Sequence, residues 1–256
     1  MEELKEKTAI VTGATSGIGR AVAVKFAAAG ARVAAVGRNP ENLDALQNEI
    51  EQTGGIVKTI RADVTDESDA QKIVETTVEN FGQIDILINA AGIIGNGTIE
   101  NTALNDWDEM MNVNLRSVFA LMQKTIPFLE KTKGNVVNVS SVAGLRSFPG
   151  VLAYCVSKAG IDQLTRCASL ELAPKQIRVN AVNPGVVVTE LHKRSGMDEE
   201  NYAAFLEKSK QTHPLGRAGS AEEVADLILF LASDKAGWIT GVTYSIDGGR
   251  ANTAAR

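Results

Sequence analysis

The sequence predicts an α/β fold: one Rossmann-type domain in which a doubly wound, parallel, seven-stranded sheet carries helices on both faces. Short β-branched runs alternate with longer helical patterns from one end of the chain to the other, as they do where each strand is followed by a crossover helix. Several of the runs are continuously apolar rather than alternating, which is the pattern of strands buried on both faces. A glycine-rich turn separates the first run from the first helix. The 256 residues suit one such domain, since a parallel sheet covered on both sides supplies one large core.

The strands are expected at 8–12, 32–37, 56–61, 85–89, 135–139, 178–183 and 243–246, with helices filling the gaps. The first helix is expected from Arg20 to Ala29, closed by Gly30. The second has Asn39 as its N-cap and Pro40 at its first position, and ends near Gly54 and Gly55. Long helices are expected at 103–129 and 153–173. Between Thr189 and Gly219 a segment of about thirty residues, helical from Asp198 to Lys210, replaces the short loop that the rhythm calls for. Insertions of this length in compact domains serve as lids or binding loops, so 190–215 is read as a substrate loop.

Composition excludes several function classes. A formal charge of -5 without a Lys/Arg run argues against a nucleic-acid partner and against an anionic membrane surface. No apolar stretch approaches the roughly eighteen residues of a membrane span. The residues before Thr8 lead straight into a strand without a targeting pattern, and a cytoplasmic location is the expectation. Cys155 and Cys167 are separated on one helix by roughly 18 Å of helical rise, too far to bridge each other. His192 and His213 have no Cys or His at ligand spacing, so no metal site is expected.

In the turn Thr12-Gly-Ala-Thr-Ser-Gly-Ile-Gly19, glycines at 13, 17 and 19 permit a tight turn and a close backbone approach to a pyrophosphate at a helix N-terminus. Tyr154 and Lys158 stand four residues apart, which on a helix places phenol and ammonium on one face, one turn apart. A cation so close favours the phenolate and is expected to lower the tyrosine pKa, which makes a proton donor for carbonyl chemistry. Ser141, thirteen residues before the tyrosine, is placed to hold a substrate oxygen.

The Gly-x-x-x-Gly-x-Gly turn with Tyr154-x-x-x-Lys158 resembles the short-chain dehydrogenase/reductase family, and the resemblance runs from Thr8 to Gly249. Its elements arrive in the family's order. Asp63-Val64 matches the pair that contacts adenine. Asn89-Ala-Ala-Gly92 resembles Asn-Asn-Ala-Gly, with Ala90 in place of the second Asn; the turn is expected to survive without that side chain. Asn114 matches a catalytic-site residue of the family and implies a water-linked proton relay to Lys158. Asn183-Pro-Gly185 and Thr189 match the segment around the nicotinamide carboxamide, and Asp247-Gly-Gly249 the C-terminal signature. The resemblance thus implies catalytic Asn114, Ser141, Tyr154 and Lys158. It implies a cofactor site at Gly13, Thr15, Ser16, Gly17, Ile18, Gly19, Arg38, Asp63, Val64, Asn89, Ala90, Gly92, Tyr154, Lys158, Pro184, Gly185, Val187 and Thr189.

Gly37 stands where a carboxylate would repel a 2′-phosphate, and Arg38 follows it. NADP(H) is therefore the expected cofactor, with NAD(H) as the alternative. The resemblance implies hydride transfer to a carbonyl carbon while Tyr154 protonates the oxygen. The substrate walls are expected at 93–97, 142–152, 186–188 and 190–215, a mostly apolar set that suits a hydrophobic or medium-sized carbonyl compound or its alcohol. The segments from His213 to Gly219 and around Ile239-Thr-Gly241 resemble the branch containing 3-oxoacyl-acyl-carrier-protein reductases. Two other readings stand beside the reductase: an NAD(P)-linked alcohol or hydroxysteroid dehydrogenase working oxidatively, and a non-catalytic NADP(H)-binding regulatory protein. The last need not keep an acid and its activating charge, and this chain keeps both. A homotetramer or homodimer, paired through the two long helices, is what the resemblance implies for assembly.

Overall fold

The structure is a computed structural model and describes residues 3–253. Seven strands, β1 (Thr8–Thr12), β2 (Arg32–Gly37), β3 (Ile56–Arg61), β4 (Ile86–Asn89), β5 (Asn135–Val139), β6 (Arg178–Pro184) and β7 (Thr243–Ile246), form one sheet in the order β3-β2-β1-β4-β5-β6-β7. Every pairing in it is parallel. The fold is therefore the predicted one, with two small shifts. β4 starts at Ile86, one residue later than expected; Asp85 just before it accepts from Thr8 N through its side chain at 2.8 Å. β6 continues to Pro184, which pairs with Ile246.

Successive residues of a strand face opposite sides, and two separate cores follow from that alternation. Ala9 and Val11 of β1 pack under α1 (Gly17–Ala28), α2 (Pro40–Gln52) and, later in the chain, α10 (Ala221–Ala232). Ile10, between them, packs on the other side under α3 (Glu67–Phe81), α5 (Ser117–Thr132) and α7 (Leu152–Leu172). The expected cap of α2 is present: Asn39 Oδ1 accepts from Asn42 N at 2.7 Å. The first helix begins at Gly17 rather than Arg20, so its opening turn lies inside the glycine loop.

The long helix expected at 103–129 is interrupted. α4 (Leu104–Met111) passes into a π-helical turn at Asn112–Arg116 and only then into α5. After β5 a short helix, α6 (Val142–Leu145), precedes α7. The 190–215 segment holds α8 (Leu191–Arg194) and α9 (Glu199–Thr212), the latter capped by Asp198, which accepts from Asn201 N at 2.8 Å.

That segment is fastened to the end of β6 by two side chains. Tyr202 of α9 donates to Thr189 O at 2.9 Å and accepts from Thr189 N at 3.2 Å. The buried His213 accepts from Val186 N through Nε2 at 3.1 Å while its Nδ1 donates to Ser209 O at 2.8 Å. This pair of bonds needs the neutral imidazole with its proton on Nδ1, and burial holds the ring's pKa below the ordinary histidine value. The unfolded chain then binds more protons than the folded one just below pH ~6.5, so His213 contributes stability above that pH and loses it as the pH falls. His213→Gln is expected to cost about 1–3 kcal/mol at pH 7.5, for a buried backbone N–H left unpaired. Urea midpoints at pH 7.5 and 5.5 should show a smaller loss on acidification in the variant than in the parent; equal losses would refute the assignment.

Candidate active site

All seven strands run the same way, so their C-terminal ends share one edge of the sheet. β1 and β4 are neighbours there, and from them the chain continues in opposite directions. A crevice opens at such a switch point. It is a cleft of about 490 Å³ lined from the glycine loop at one end to α8 and the 250 turn at the other.

The glycine-loop end is shaped by backbone. Gly13 and Gly17 take positive φ, 66° and 53°. A Cβ on Gly13 would stand 2.8 Å from both Ala90 O and Ala91 N, and one on Gly19 2.4 Å from Gly13 O. Thr12 fixes the facing turn, its hydroxyl accepting from Ala90 N at 3.1 Å and Ala91 N at 3.2 Å. The turn with Ala90 in place of Asn is therefore kept by a threonine that sequence reasoning passed over. Thr15, Ser16, Gly17, Ile18, Gly19, Arg38, Asp63, Val64, Ala90 and Gly92 line this end with Gly13.

Arg38 is 73% exposed and lies 3.7 Å from the Asp63 carboxylate. Asp63 is held below the usual carboxylate range, chiefly by the backbone N–H of Thr65 and further by its hydroxyl and by Arg38. A Cβ on Gly37 would stand 2.3 Å from Thr15 Cγ2, so a carboxylate at 37 requires Thr15 to move. The place is built for a residue without a side chain.

In the middle of the cleft Tyr154 and Lys158 extend from α7, with Lys158 Nζ 5.7 Å from the phenol ring centroid. Lys158 Nζ donates to Val139 O at 2.8 Å. Burial brings its pKa down to about 8, against the attraction of Asp162. Tyr154 departs from expectation: its pKa is raised, because burial outweighs a hydrogen bond with Ser141 that acts in the opposite direction. Desolvation of the phenolate, which primary sequence does not display, decides the sign.

Ser141 and Ser140 separate cleanly. Ser141 caps α6, its hydroxyl accepting from Ala143 N at 3.1 Å, and lines the cleft beside the tyrosine. Ser140 donates to Lys158 O at 3.1 Å and so ties the β5 end to α7. Behind them lies the buried Asp162, which accepts from Asn183 Nδ2 at 2.9 Å while the same amide donates to Ser141 O at 2.9 Å. Burial raises the Asp162 pKa against hydrogen bonds from Ser140 and Asn183. Only a long-range contact, four residues beyond Lys158 in the chain, identifies this support.

Two expected site residues do not reach the cleft surface. Asn89 turns inward, donating to Asn138 Oδ1 at 2.9 Å, and joins a buried chain that continues to Thr165. Asn114 lies behind the 92–93 segment, accepting from Ile93 N and donating to Ile93 O, both at 2.9 Å. Gly92 separates it from the lysine: a Cβ there would stand 3.3 Å from Asn114 Oδ1 and 3.6 Å from Lys158 Nζ.

Pro184, Gly185, Val187 and Thr189 line the cleft beside Ile93, Ile94, Val142, Phe148, Val151, Val186, Leu191, His192 and Phe205. Leu152 and Val188, expected as walls, do not line it. Their backbone N–H groups donate to Gly97 O at 3.1 Å and Gly219 O at 3.0 Å, in bridges that turn the chain away. Arg194 and Arg250 line the same end, and sequence reasoning missed Arg250 because only the fold brings the C-terminal turn over the opening.

Among known proteins, the family profile described as Enoyl-(Acyl carrier protein) reductase matches residues 13–251. The chain is 41% identical over 251 residues to the 3-oxoacyl-(acyl-carrier-protein) reductase FabG of Thermotoga maritima, covering 96% of this chain and 98% of that protein. It is 36% identical over 265 residues to the 3beta-hydroxysteroid dehydrogenase of Mediterraneibacter gnavus, covering 97% and 96%. A crystal structure of a short-chain dehydrogenase/reductase from Caenorhabditis elegans, solved with cofactor, superimposes with a TM-score of 0.94 at 36% identity over 99% of this chain and 98% of that one. With the cleft geometry, these likenesses place the chain in the short-chain dehydrogenase/reductase family, as an NAD(P)-dependent oxidoreductase acting on CH–OH and C=O groups.

Proposed function

We propose that the chain is an NADPH-dependent reductase of ketones, reversible with the corresponding alcohols, in which Tyr154 is the general acid. The observation that carries this reading is the convergence of Tyr154, Ser141 and Lys158 in the cleft whose other end is the glycine cradle. The cradle suits a dinucleotide because Gly13 and Gly19, where a Cβ would collide with neighbouring backbone, let the loop close tightly and leave main chain rather than side chains facing the cleft. When bound, the nicotinamide cofactor supplies or accepts the hydride. The chain's residues manage the oxygen. Ser141 donates a hydrogen bond to it, and Tyr154, a neutral phenol with a raised pKa, holds a proton ready to give. Lys158 carries positive charge below pH about 8 and stabilises the phenolate left behind. Asn114 is assigned to a water-linked proton relay to Lys158, and its bonds to both polar backbone atoms of Ile93 hold it in place for that role. The apolar walls at Ile93, Ile94, Phe148, Val151 and Phe205 suit a hydrophobic or medium-sized carbonyl compound.

The NADP(H) preference rests on Arg38. Its long, exposed contact with Asp63 costs little to break, which leaves the guanidinium free to bind a phosphate. The second reading, oxidation of a hydroxysteroid or other alcohol, is favoured by the Mediterraneibacter gnavus relative and uses the same residues in reverse. For assembly we propose a homodimer or homotetramer. Leu104, Phe119 and Val156, on α4, α5 and α7, expose apolar surface on the helices assigned to pairing.

Tyr154→Phe is expected to reduce turnover by roughly 10²–10⁴-fold, the range of general-acid assistance, while NADPH binding followed by fluorescence stays within a few-fold. Full turnover in that variant removes the assignment. Arg38→Ala is expected to cut the NADPH-over-NADH ratio of kcat/KM by about 10–100-fold, the loss of a charge-assisted contact; an unchanged ratio would place the phosphate elsewhere. Light scattering should give a multiple of 27.2 kDa, with Leu104→Glu shifting the mass toward a single chain. A monomeric parent protein contradicts the assembly.

A further inference from the structure

The substrate end of the cleft holds more positive charge than carbonyl reduction requires. Arg194 and Arg250 line it in addition to Lys158, whereas the only acid lining the cleft among the described residues is Asp63, at the nucleotide end. Arg250 is the more firmly held of the two. Its guanidinium stacks 4.8 Å from the centroid of the Phe148 ring, and Nη1 donates to Thr212 Oγ1 at 3.1 Å. These contacts orient the group and, among the described residues, leave most of its donors without a hydrogen-bond partner. Among the described residues no carboxylate forms an ion pair with it. Asp247, which attracts it, already accepts from the backbone N–H groups of Gly249 at 2.9 Å and Ala251 at 2.6 Å.

Arg146 stands beside it. Its Nη1 donates to Arg250 O at 3.0 Å and Ala251 O at 3.3 Å, which fastens the 250–252 turn over the cleft at the cost of bringing two guanidinium groups together. Burial and the neighbouring Arg146 both depress the Arg250 pKa. Two like charges in a half-buried place are unfavourable until an anion joins them. His192 contributes no lasting charge, because burial against Phe205, whose ring lies 4.4 Å away, holds its pKa down.

We infer that the substrate is an oxo acid: a carbonyl compound whose carboxylate is bound by Arg250 while its ketone faces Tyr154 and Ser141 and its chain lies along the apolar wall. This rests on the reductase reading above. The test compares methyl-ketone carboxylates, CH₃CO(CH₂)ₙCO₂⁻ of increasing n, with their methyl esters, using NADPH as reductant. At the favoured length the acid should exceed the ester in kcat/KM by about tenfold or more, mainly through KM, as one charge-assisted contact allows. In Arg250→Gln that acid-to-ester ratio should collapse toward unity, and Arg250→Lys should retain part of it. Because the ratio is internal to each variant, partial misfolding does not alter it. Equal use of acid and ester by the parent, or a ratio preserved in Arg250→Gln, overturns the inference and leaves the reductase standing.

Reduction of neither series sinks the reductase reading instead, and calorimetry then judges the subsite. Hexanoate should bind the NADP⁺-loaded parent at least about tenfold more tightly than loaded Arg250→Gln, and equal binding overturns the inference.

Discussion

Two stretches of backbone above the β1–β4 junction lie closer together than any side chain would permit, and the rest of the site depends on that approach. The 2.8 Å that a Cβ on Gly13 would leave to Ala90 O and Ala91 N is the measure of it. Bare amides and carbonyls line the crevice as a result, and Thr12 holds them in register from beneath. The facing turn then runs on through Gly92 to Ile93, behind which Asn114 is anchored and in front of which Lys158 projects. The glycine cradle and the Tyr154–Lys158 pair thus meet at two ends of one loop.

The electrostatics of the centre are governed by exclusion of water. Burial acts on three groups at once, pushing the Tyr154 phenol and the Asp162 carboxyl up and the Lys158 ammonium down. Each shift resists formation of charge, and each is opposed by a specific neighbour: Ser141 on the phenol, Ser140 and Asn183 on the carboxyl, Asp162 on the lysine. Perturbed groups gathered in one cleft are the physical setting in which acid–base chemistry is commonly found.

Much of the fold was legible because burial on both sheet faces writes itself as uninterrupted β-branched runs, and because glycine loop, Tyr154 and Lys158 are local patterns. What escaped was set by tertiary contact. The direction of the Tyr154 shift depends on how much protein surrounds the phenol. Asn89 sits in the right segment but bonds inward to Asn138. Asp162, His213, Tyr202 and Arg250 act from positions whose meaning appears only when β6, α7, α9 and the C-terminal turn are brought together. The thirteen-residue step to Tyr154 already favours Ser141 over Ser140; what the sequence does not display is that Ser140 bonds Lys158 O while Ser141 caps α6.

The π-helical turn at Asn112–Arg116 holds one residue more than an α-helical turn would, and its presence reshapes how this part of the chain can vary. An α-helix advances by about 100° per residue, so the extra residue puts α4 and α5 out of phase by that angle. Met110 of α4 can then face the tyrosine cluster while Leu121 and Met122 of α5 face the sheet, although one continuous rod joins them. Losing a single residue there would keep the rod and the composition but rotate one half against the other, swinging Asn114 off Ile93. Substitutions along this rod are judged one position at a time; length changes in the turn are judged by everything on both sides of it at once.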